Sequence, residues 1–272
     1  MSEKVAAHTF DDETQLPQIP SLKGQVPSDE WAMRVNLAAA FRLVDLFGWS
    51  DLLATHLSAR VPGSDDHFLI NPFGLTFDEV TASSLVKVDP DGKVLSPTPF
   101  AINPAGFVIH SAVHMARPEA AAVMHTHTQA GVSIATQKAG LLPLTQHALA
   151  VIAHTGDHDF AGIATDLSER ERLAADLADH NVLILRNHGL LTVGRTVGET
   201  FMWLYRAERA CRMQLAFQQS GAEPMEIPRT VQETNIARNK HNNSAQGYRP
   251  IGKVEWPALR RKLDRASPGY RD

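Results

Sequence analysis

Residues 121–128, AAVMHTHT, form an apolar run that becomes polar at its end, a pattern that predicts a buried strand. In a strand, residues i and i+2 project to the same face, so the imidazoles of His125 and His127 are expected to lie side by side. A single histidine is more often a hydrogen-bonded structural residue than a metal ligand. The pair alone therefore leaves both interpretations open.

Residues 182–189, VLILRNHG, form a second apolar run, which ends at a histidine. The run predicts a buried strand, and Gly189 permits a tight turn that presents His188 at the strand end. With His125 and His127, this residue would supply three neutral imidazoles and leave a position open. Such an arrangement is what a catalytic divalent metal requires.

The rest of the pattern predicts helices well mixed with short strands. A helix from Ser28 to Phe47 is capped by the Ser28 side chain and ends at Gly48. Three short strands separated by turns follow, at residues 57–61, 67–70 and 85–88. This part of the chain is a meander and not a βαβ series. The segment 154–159 is rich in Gly and Asp, and we interpret it as a solvated turn.

Composition restricts the class of protein. The chain has 272 residues, 43% of them hydrophobic, with a net charge of −4, and it lacks the clustered Lys and Arg that nucleic-acid binding requires. The single cysteine, Cys211, cannot form an intramolecular disulfide and suits a reducing compartment. No apolar segment approaches the length of a membrane span, and residues 1–10 lack a signal-peptide pattern. We therefore expect a cytoplasmic protein without nucleic-acid or membrane partners.

The chain divides into three parts. We predict an extended arm at residues 1–28, one domain at 29–222, and a proline-punctuated tail at 223–272. The tail has too little regular apolar patterning to form a core alone, although it contains Trp256 and Leu263. We expect it to pack on the domain or on a neighbouring subunit.

Two longer segments carry a family resemblance: INPFGLTFDEVTASSLVKVD at 70–89 and NPAGFVIHSAVHMARPEAAAVMHTHT at 103–128. With VLILRNHGLLTVG at 182–194, they resemble the class II aldolase and adducin family, most closely the adducin head domain. The resemblance covers roughly residues 31–220. It implies a three-layer α/β/α fold with a mixed, largely antiparallel central sheet.

The same resemblance implies a metal site and an assembly. It makes His125, His127 and His188 the ligands of one divalent ion, zinc first and manganese as the alternative. It also implies a homo-oligomer, with a tetramer expected, in which a neighbouring subunit completes each site.

The chain departs from the sugar-phosphate enzymes of the family where these bind phosphate. Their Gly-Asn pair, Ser/Thr-Gly turn and Ser-Ser pair correspond here to Thr55-His56, Phe73-Gly74 and Pro104-Ala105. A phosphate that loses hydroxyl donors and meets apolar groups is disfavoured. We therefore assign His56, Phe73 and Gly74 to the binding of a small, non-phosphorylated substrate.

The acid/base position of the aldolases is also changed, because Gly106 stands where they carry an acidic residue. Gly106 would border the substrate, and His110, one turn further on, would either approach the metal or support it from behind. His147 falls near the position of a tyrosine that donates a proton from the adjacent subunit in the aldolases, and a surface histidine is its alternative reading.

These features favour a metal-dependent carbon–carbon lyase acting on a small oxo or hydroxy acid. Decarboxylation is preferred to retro-aldol cleavage, because loss of carbon dioxide needs an electron sink but no base. A non-catalytic, adducin-like interaction module is the second hypothesis, although the chain lacks the long basic tail of adducins. An epimerase is the third, and the loss of phosphate donors counts against it.

Overall fold

A seven-stranded sheet forms the centre of the fold in the computed structural model, which describes residues 16–159, 167–244 and 246–272. The strands are β1 His56–Arg60, β2 Phe68–Ile70, β3 Val86–Val88, β4 Ala122–Thr126, β5 Thr155–His158, β6 Val182–Leu185 and β7 Gly189–Gly194. Their order is β3-β2-β1-β4-β7-β6-β5, and only β5 and β6 pair in parallel. The predicted mixed, largely antiparallel sheet is confirmed.

Helices cover both faces of this sheet. They are α1 Ser28–Leu46, α2 Pro104–Ala116, α3 Gln129–Ala135, α4 Gln146–Leu149, α5 Leu167–Leu177, α6 Val197–Ser220, α7 Arg229–Asn243 and α8 Glu255–Ala266. None of the described helices is long and apolar enough to cross a membrane.

Alternation along the strands produces two separate apolar cores. In β6, Val182 and Ile184 face the core that contains α1 and α6, whereas Leu183 and Leu185 face the core that contains α2 and α5. A strand with apolar residues on both faces must be covered on both sides. The result is the predicted three-layer α/β/α arrangement.

The register of the sheet brings several chain segments to one edge. His56, at the start of β1, pairs with His125 near the end of β4. On the other side, Thr126 pairs with Leu190 near the start of β7. We call this set of neighbouring strand ends the triad edge of the sheet, because His125, His127 and His188 all lie there. It is not one of the outer strands.

The first helix begins differently from the prediction. Ser28 is the first helical residue and not its cap; Pro27 occupies the N-cap position, without a side-chain hydrogen bond. Proline suits a helix start because its φ is preset and the amide hydrogen that it lacks would be unpaired there. Gly48 ends the helix as predicted, with a φ of 68° that L side chains rarely adopt.

The solvated turn predicted at residues 154–159 is wrong. Residues 155–158 form the edge strand β5, and His158 is buried with its Nδ1 2.7 Å from Asp176 Oδ2. Gly156 allows this pairing, because a Cβ there would lie 2.8 Å from His180 and 3.0 Å from the Asp176 carbonyl oxygen. Local Gly and Asp content resembles that of a turn, and only the tertiary contact reveals the strand.

The tail contains two helices, which the sequence pattern did not predict. Helix α8 packs against α1 and α6, with Leu263 fully buried. Trp256 donates its indole hydrogen to Asn36 Oδ1 at 2.8 Å. The tail thus contacts the α1 layer of its own chain.

Candidate metal centre

Three imidazoles converge at the triad edge. Each of His125, His127 and His188 offers one ring nitrogen, and these three nitrogens lie within 4.8 Å of one another. The ring centroids are 4.6–4.8 Å apart. His125 is buried, whereas the other two rings are partly exposed. The cluster is therefore open on one side.

Hydrogen bonds fix which nitrogen each of two rings presents. His125 Nδ1 lies 3.0 Å from the Leu190 carbonyl oxygen, and His127 Nδ1 lies 2.9 Å from Asp51 Oδ2. Both oxygens accept, so both Nδ1 atoms carry the hydrogen and both Nε2 atoms carry a lone pair. These two Nε2 atoms are 2.9 Å apart. Two lone pairs at that distance repel each other unless a cation lies between them, so the donor set fits a divalent metal.

Electrostatics disfavour protonation of His125 and His188. Burial, followed by the proximity of His188, places the pKa of His125 well below its ordinary value. Burial, with the nearby His127, lowers the pKa of His188 to about 4. A histidine must be deprotonated to bind a metal, so rings that resist protonation are suited to ligation at neutral pH.

Gly189 has a different role from the one that the sequence suggested. The residue with a left-handed backbone is Asn187, at a φ of 55°. Gly189 instead permits close approach, because a Cβ there would lie 2.5 Å from the Thr126 carbonyl oxygen. Because Gly189 has no side chain, β7 can pair with β4 next to the rings of His125 and His127.

Asp51 was not identified from the sequence, although its carboxylate forms a hydrogen bond with the His127 ring. It lies in the loop after α1, 76 positions from His127 along the chain. No pattern in that loop indicates a role, because only the fold brings it to the imidazole. A carboxylate on the far nitrogen of a ligating histidine orients the ring and raises its basicity.

We expect the Asp51→Ala protein to bind divalent metal about 10–100-fold more weakly than the unmodified chain, because the His127 ring loses its orienting partner. Competition with a chromogenic chelator measures this affinity. Asp91→Ala, at an exposed turn distant in sequence from the cluster, is the matched control. Equal affinities in the Asp51→Ala protein and the control would contradict a role for this carboxylate.

The imidazole ring of His56 lies directly against Gly106. Gly106 lies in the first turn of α2, and a Cβ built on it would lie 2.2 Å from Cε1 of the His56 ring. The His56 imidazole therefore fills the place that a side chain at position 106 would need. Burial, followed by the nearby His127, lowers the pKa of His56 to about 4, and no hydrogen-bond partner of its Nε2 is found in the described chain.

His110 lies behind His56 in a buried hydrogen-bonded chain. His110 Nδ1 is 2.7 Å from Ser58 Oγ, which is 2.8 Å from His114 Nε2. His114 Nδ1 approaches the Ala120 carbonyl oxygen at 3.3 Å and so carries the hydrogen. Ser58 therefore donates to His114 and accepts from His110. His110 is not one of the three clustered imidazoles.

Phe73 and Gly74 follow β2, whose last residue pairs with Ser58 of β1. Phe73 is exposed, and its backbone N–H donates to the Ala101 carbonyl oxygen at 2.8 Å. Gly74 has a φ of 109°, which requires glycine. Both residues thus follow a strand that points toward the triad edge. Pro104 is exposed at the start of α2, and the side chain of Ala105 lies outside the described part of the structure.

His147 lies apart from the other predicted site residues. It is exposed on α4, which packs against α6, α7 and the 3₁₀ turn Ile152–His154. No described hydrogen bond joins it to the three clustered imidazoles. Within one chain, the structure does not bring it to the triad.

The fold and the site together define an α/β protein with a candidate metal centre at one edge of a mixed sheet. The family model described as the class II aldolase and adducin N-terminal domain matches residues 35–215. The chain belongs to this family.

Individual relatives agree with the family assignment. The crystal structure of an aldolase II superfamily protein from Pseudomonas syringae is 50% identical, with a TM-score of 0.87 over 93% of this chain and 100% of that one. The L-fuculose 1-phosphate aldolase from Glaciozyma antarctica PI12 is 27% identical, with a TM-score of 0.77 over 95% and 97% of the two chains. Alpha-adducin of Rattus norvegicus is 40% identical over 252 residues, which cover 89% of this chain and 34% of adducin.

Proposed function

We propose that the chain is a divalent-metal-dependent carbon–carbon lyase that acts on a small, non-phosphorylated oxo or hydroxy acid. The observation that carries the proposal is the 2.9 Å approach of two imidazole Nε2 atoms whose hydrogens are both committed elsewhere. His125, His127 and His188 would hold the ion, with zinc preferred to manganese because all three ligands are nitrogen. When bound, such an ion supplies Lewis acidity toward a carbonyl or enolate oxygen.

Polar atoms on neighbouring elements would orient the substrate. Thr55 Oγ1, His56 Nε2 and Asn71 Oδ1 are buried at the sheet edge, and none has a hydrogen-bond partner in the described chain. Leaving a buried polar atom unpaired costs about 1–3 kcal/mol, so a substrate that pairs with them recovers this free energy. All three groups come from uncharged side chains, which suits a carbonyl or hydroxyl group better than a phosphate dianion.

The arginine nearest to His188 in the sequence already has partners for its guanidinium group. Arg186, two residues before His188, forms an ion pair with Asp157 at 3.0 Å and donates to the Gln137 carbonyl oxygen at 2.8 Å. A phosphate that recruited this guanidinium would have to break these contacts. With Phe73 and Pro104 in place of hydroxyl donors, this supports a substrate without phosphate.

We favour decarboxylation over retro-aldol cleavage. Gly106 offers no carboxylate to remove a proton, and a carboxylate substrate loses carbon dioxide without a base. His56, held over Gly106, would contact the substrate, and His110 would support His56 from behind. We assign the proton that quenches the enolate to His147 of a neighbouring subunit.

The substrate class is tested with metal-loaded protein on two matched panels. We expect measurable turnover of non-phosphorylated oxo or hydroxy acids. We also expect at least about tenfold lower kcat/KM for fuculose and ribulose phosphates than for their dephosphorylated forms, since unmatched phosphate burial costs about 1.4 kcal/mol or more. Carbon dioxide release and aldehyde formation distinguish the two reactions. Faster cleavage of the phosphorylated sugars would overturn the proposal.

A non-catalytic interaction module remains the second candidate, because alpha-adducin is 40% identical over its matching segment. It makes a distinct prediction for the same experiment. A protein that binds metal stoichiometrically but turns over no member of either panel supports the module.

We also propose that the working unit is a homotetramer. Large apolar side chains of the tail are exposed in a single chain, including Met225 at 91% and Tyr248 at 94%, and a neighbouring subunit could cover them.

We expect inactive His147→Ala and inactive His188→Ala proteins to regain some activity after subunit exchange, because one type of mixed site then has both residues. Verified mixed oligomers without activity would refute the shared site, and a monomer by light scattering would refute the assembly.

A further inference from the structure

A cavity of about 300 Å³ lies at the opposite ends of the strands from the triad edge. Strand β7 begins at Gly189, beside the imidazoles, and ends at Gly194, which lines the cavity. At the usual rise of a strand, these two residues are roughly 17 Å apart. Seen from β4, Ala122 lies opposite Gly194, whereas His125 lies at the other end of the strand. The cavity is thus separate from the candidate metal centre.

Two buried donors in the wall of this cavity lack acceptors. Trp203 is 1% exposed, and its indole Nε1, which can only donate, has no partner in the described chain. Asn243 is 7% exposed, and its Oδ1 accepts from Arg206 Nη1 at 3.0 Å. Because arginine can only donate, the amide orientation is determined chemically, and Nδ2 is left as a donor with no described partner.

The charges of the wall leave one cation available. Arg117 forms an ion pair with Glu119, and Arg195 forms one with Glu199. Lys240, in the last turn of α7, also lines the cavity, and no ion pair involves it among the described residues. Within the described part of the chain, its charge therefore has no direct partner.

The two other titratable groups of the wall do not oppose an anion strongly. Asp179 is exposed to water, which screens its charge just as it screens that of the exposed Lys240. His154 lies against Trp203, with ring centroids 4.4 Å apart, and burial lowers its pKa to about 4, so the ring is neutral. The wall therefore presents two buried N–H donors and an ammonium group, but only one exposed carboxylate without an ion-pair partner.

We propose that this cavity binds a small organic acid through its carboxylate. A carboxylate offers about four lone-pair sites, enough to accept from Trp203, Asn243 and Lys240 together. The volume suits a molecule of a few carbon atoms. This site is additional to the catalytic one, and it does not depend on a metal at the triad edge.

Sodium acetate is the probe for the test, added to the ¹⁵N-labelled full-length protein at constant ionic strength. The chain has four tryptophans, so the indole N–H signal of Trp203 is assigned by its loss in the Trp203→Phe protein. We expect this signal to shift saturably, with a Kd on the order of 1–10 mM, which four non-hydrogen atoms can supply. Acetamide, which has the same shape without the charge, should bind at least about tenfold more weakly.

Asn243→Asp keeps an acceptor for Arg206 but replaces the donors by a negative charge, and it should abolish the saturable shift. Asn242→Asp places the same charge on the exposed neighbouring residue outside the cavity wall and should retain the shift. The His127→Ala protein should also bind acetate, so failure of the metal site and failure of this site are distinguishable. An unmoved Trp203 signal at 100 mM acetate, equal affinity for acetamide, or equal behaviour of the two aspartate variants would overturn the proposal.

Discussion

The His127→Ala protein is expected to lose stoichiometric divalent metal while remaining folded. His127 contributes one of three clustered nitrogens and connects the cluster to Asp51. Removal of an orienting neighbour typically costs 10–100-fold in metal affinity, so removal of a ligand should cost at least about 100-fold. The ring is partly exposed at the end of β4, so its loss leaves no large cavity in either core. Metal content after dialysis measures the effect, with circular dichroism as the check on folding.

His67→Ala is the matched control for this experiment. His67 is also partly exposed, but its ring contacts Asp66 at 3.6 Å and lies outside the cluster. We expect this protein to retain metal at the level of the unmodified chain. Full occupancy in the His127→Ala protein would defeat the assignment of the metal site, and any lyase activity should disappear together with the metal.

Gly189→Ala is expected to damage the sheet and the metal site together. The added Cβ would lie 2.5 Å from the Thr126 carbonyl oxygen, and 3.3 Å and 3.4 Å from the rings of His127 and His125. A backbone atom cannot rotate away as a side chain can, so β7 must move away from β4. Overpacking of this kind costs about 1–3 kcal/mol, which corresponds to roughly 2–6 °C in Tm for a chain of this size.

The matched control is Gly269→Ala, where the nearest atoms to a new Cβ are 3.9 Å and 4.0 Å away. We expect its Tm to remain close to that of the unmodified chain. Thermal unfolding of both metal-free proteins at one concentration measures the packing effect, and chelator competition measures the separate loss of metal affinity. A Gly189→Ala protein as stable as the control would show that the strands absorb the clash.

Local patterns were enough to predict the first three strands of the sheet. Short apolar runs separated by turns predict adjacent antiparallel strands, and β1, β2 and β3 pair in this way. Strand β5 was missed because its sequence, TGDH, contains one buried side chain and no apolar residue. Its pairing with β6 depends on the crossover through α5, which no short window of sequence contains.

At the metal centre too, local patterns predicted only part of the arrangement of the three histidines. The spacing of His125 and His127 implies that both rings share a face, because alternation is a property of any strand. His188 joins them only because β7 pairs with β4 in a register that the close approach of Gly189 allows. The apolar run at 182–189 pointed to His188 and the family resemblance made it a metal ligand, but local periodicity alone could not place it beside the other two rings.

Asp51 and the pairing of His56 with Gly106 depended entirely on the tertiary structure. Asp51 is 76 positions from the ring that it orients, and His56 lies over a glycine 50 positions away on another layer. Periodicity describes which side of an element a residue faces, and it therefore predicts layers and cores. It contains no information about which atoms of distant segments meet, because that is decided by strand register and helix packing over the whole domain.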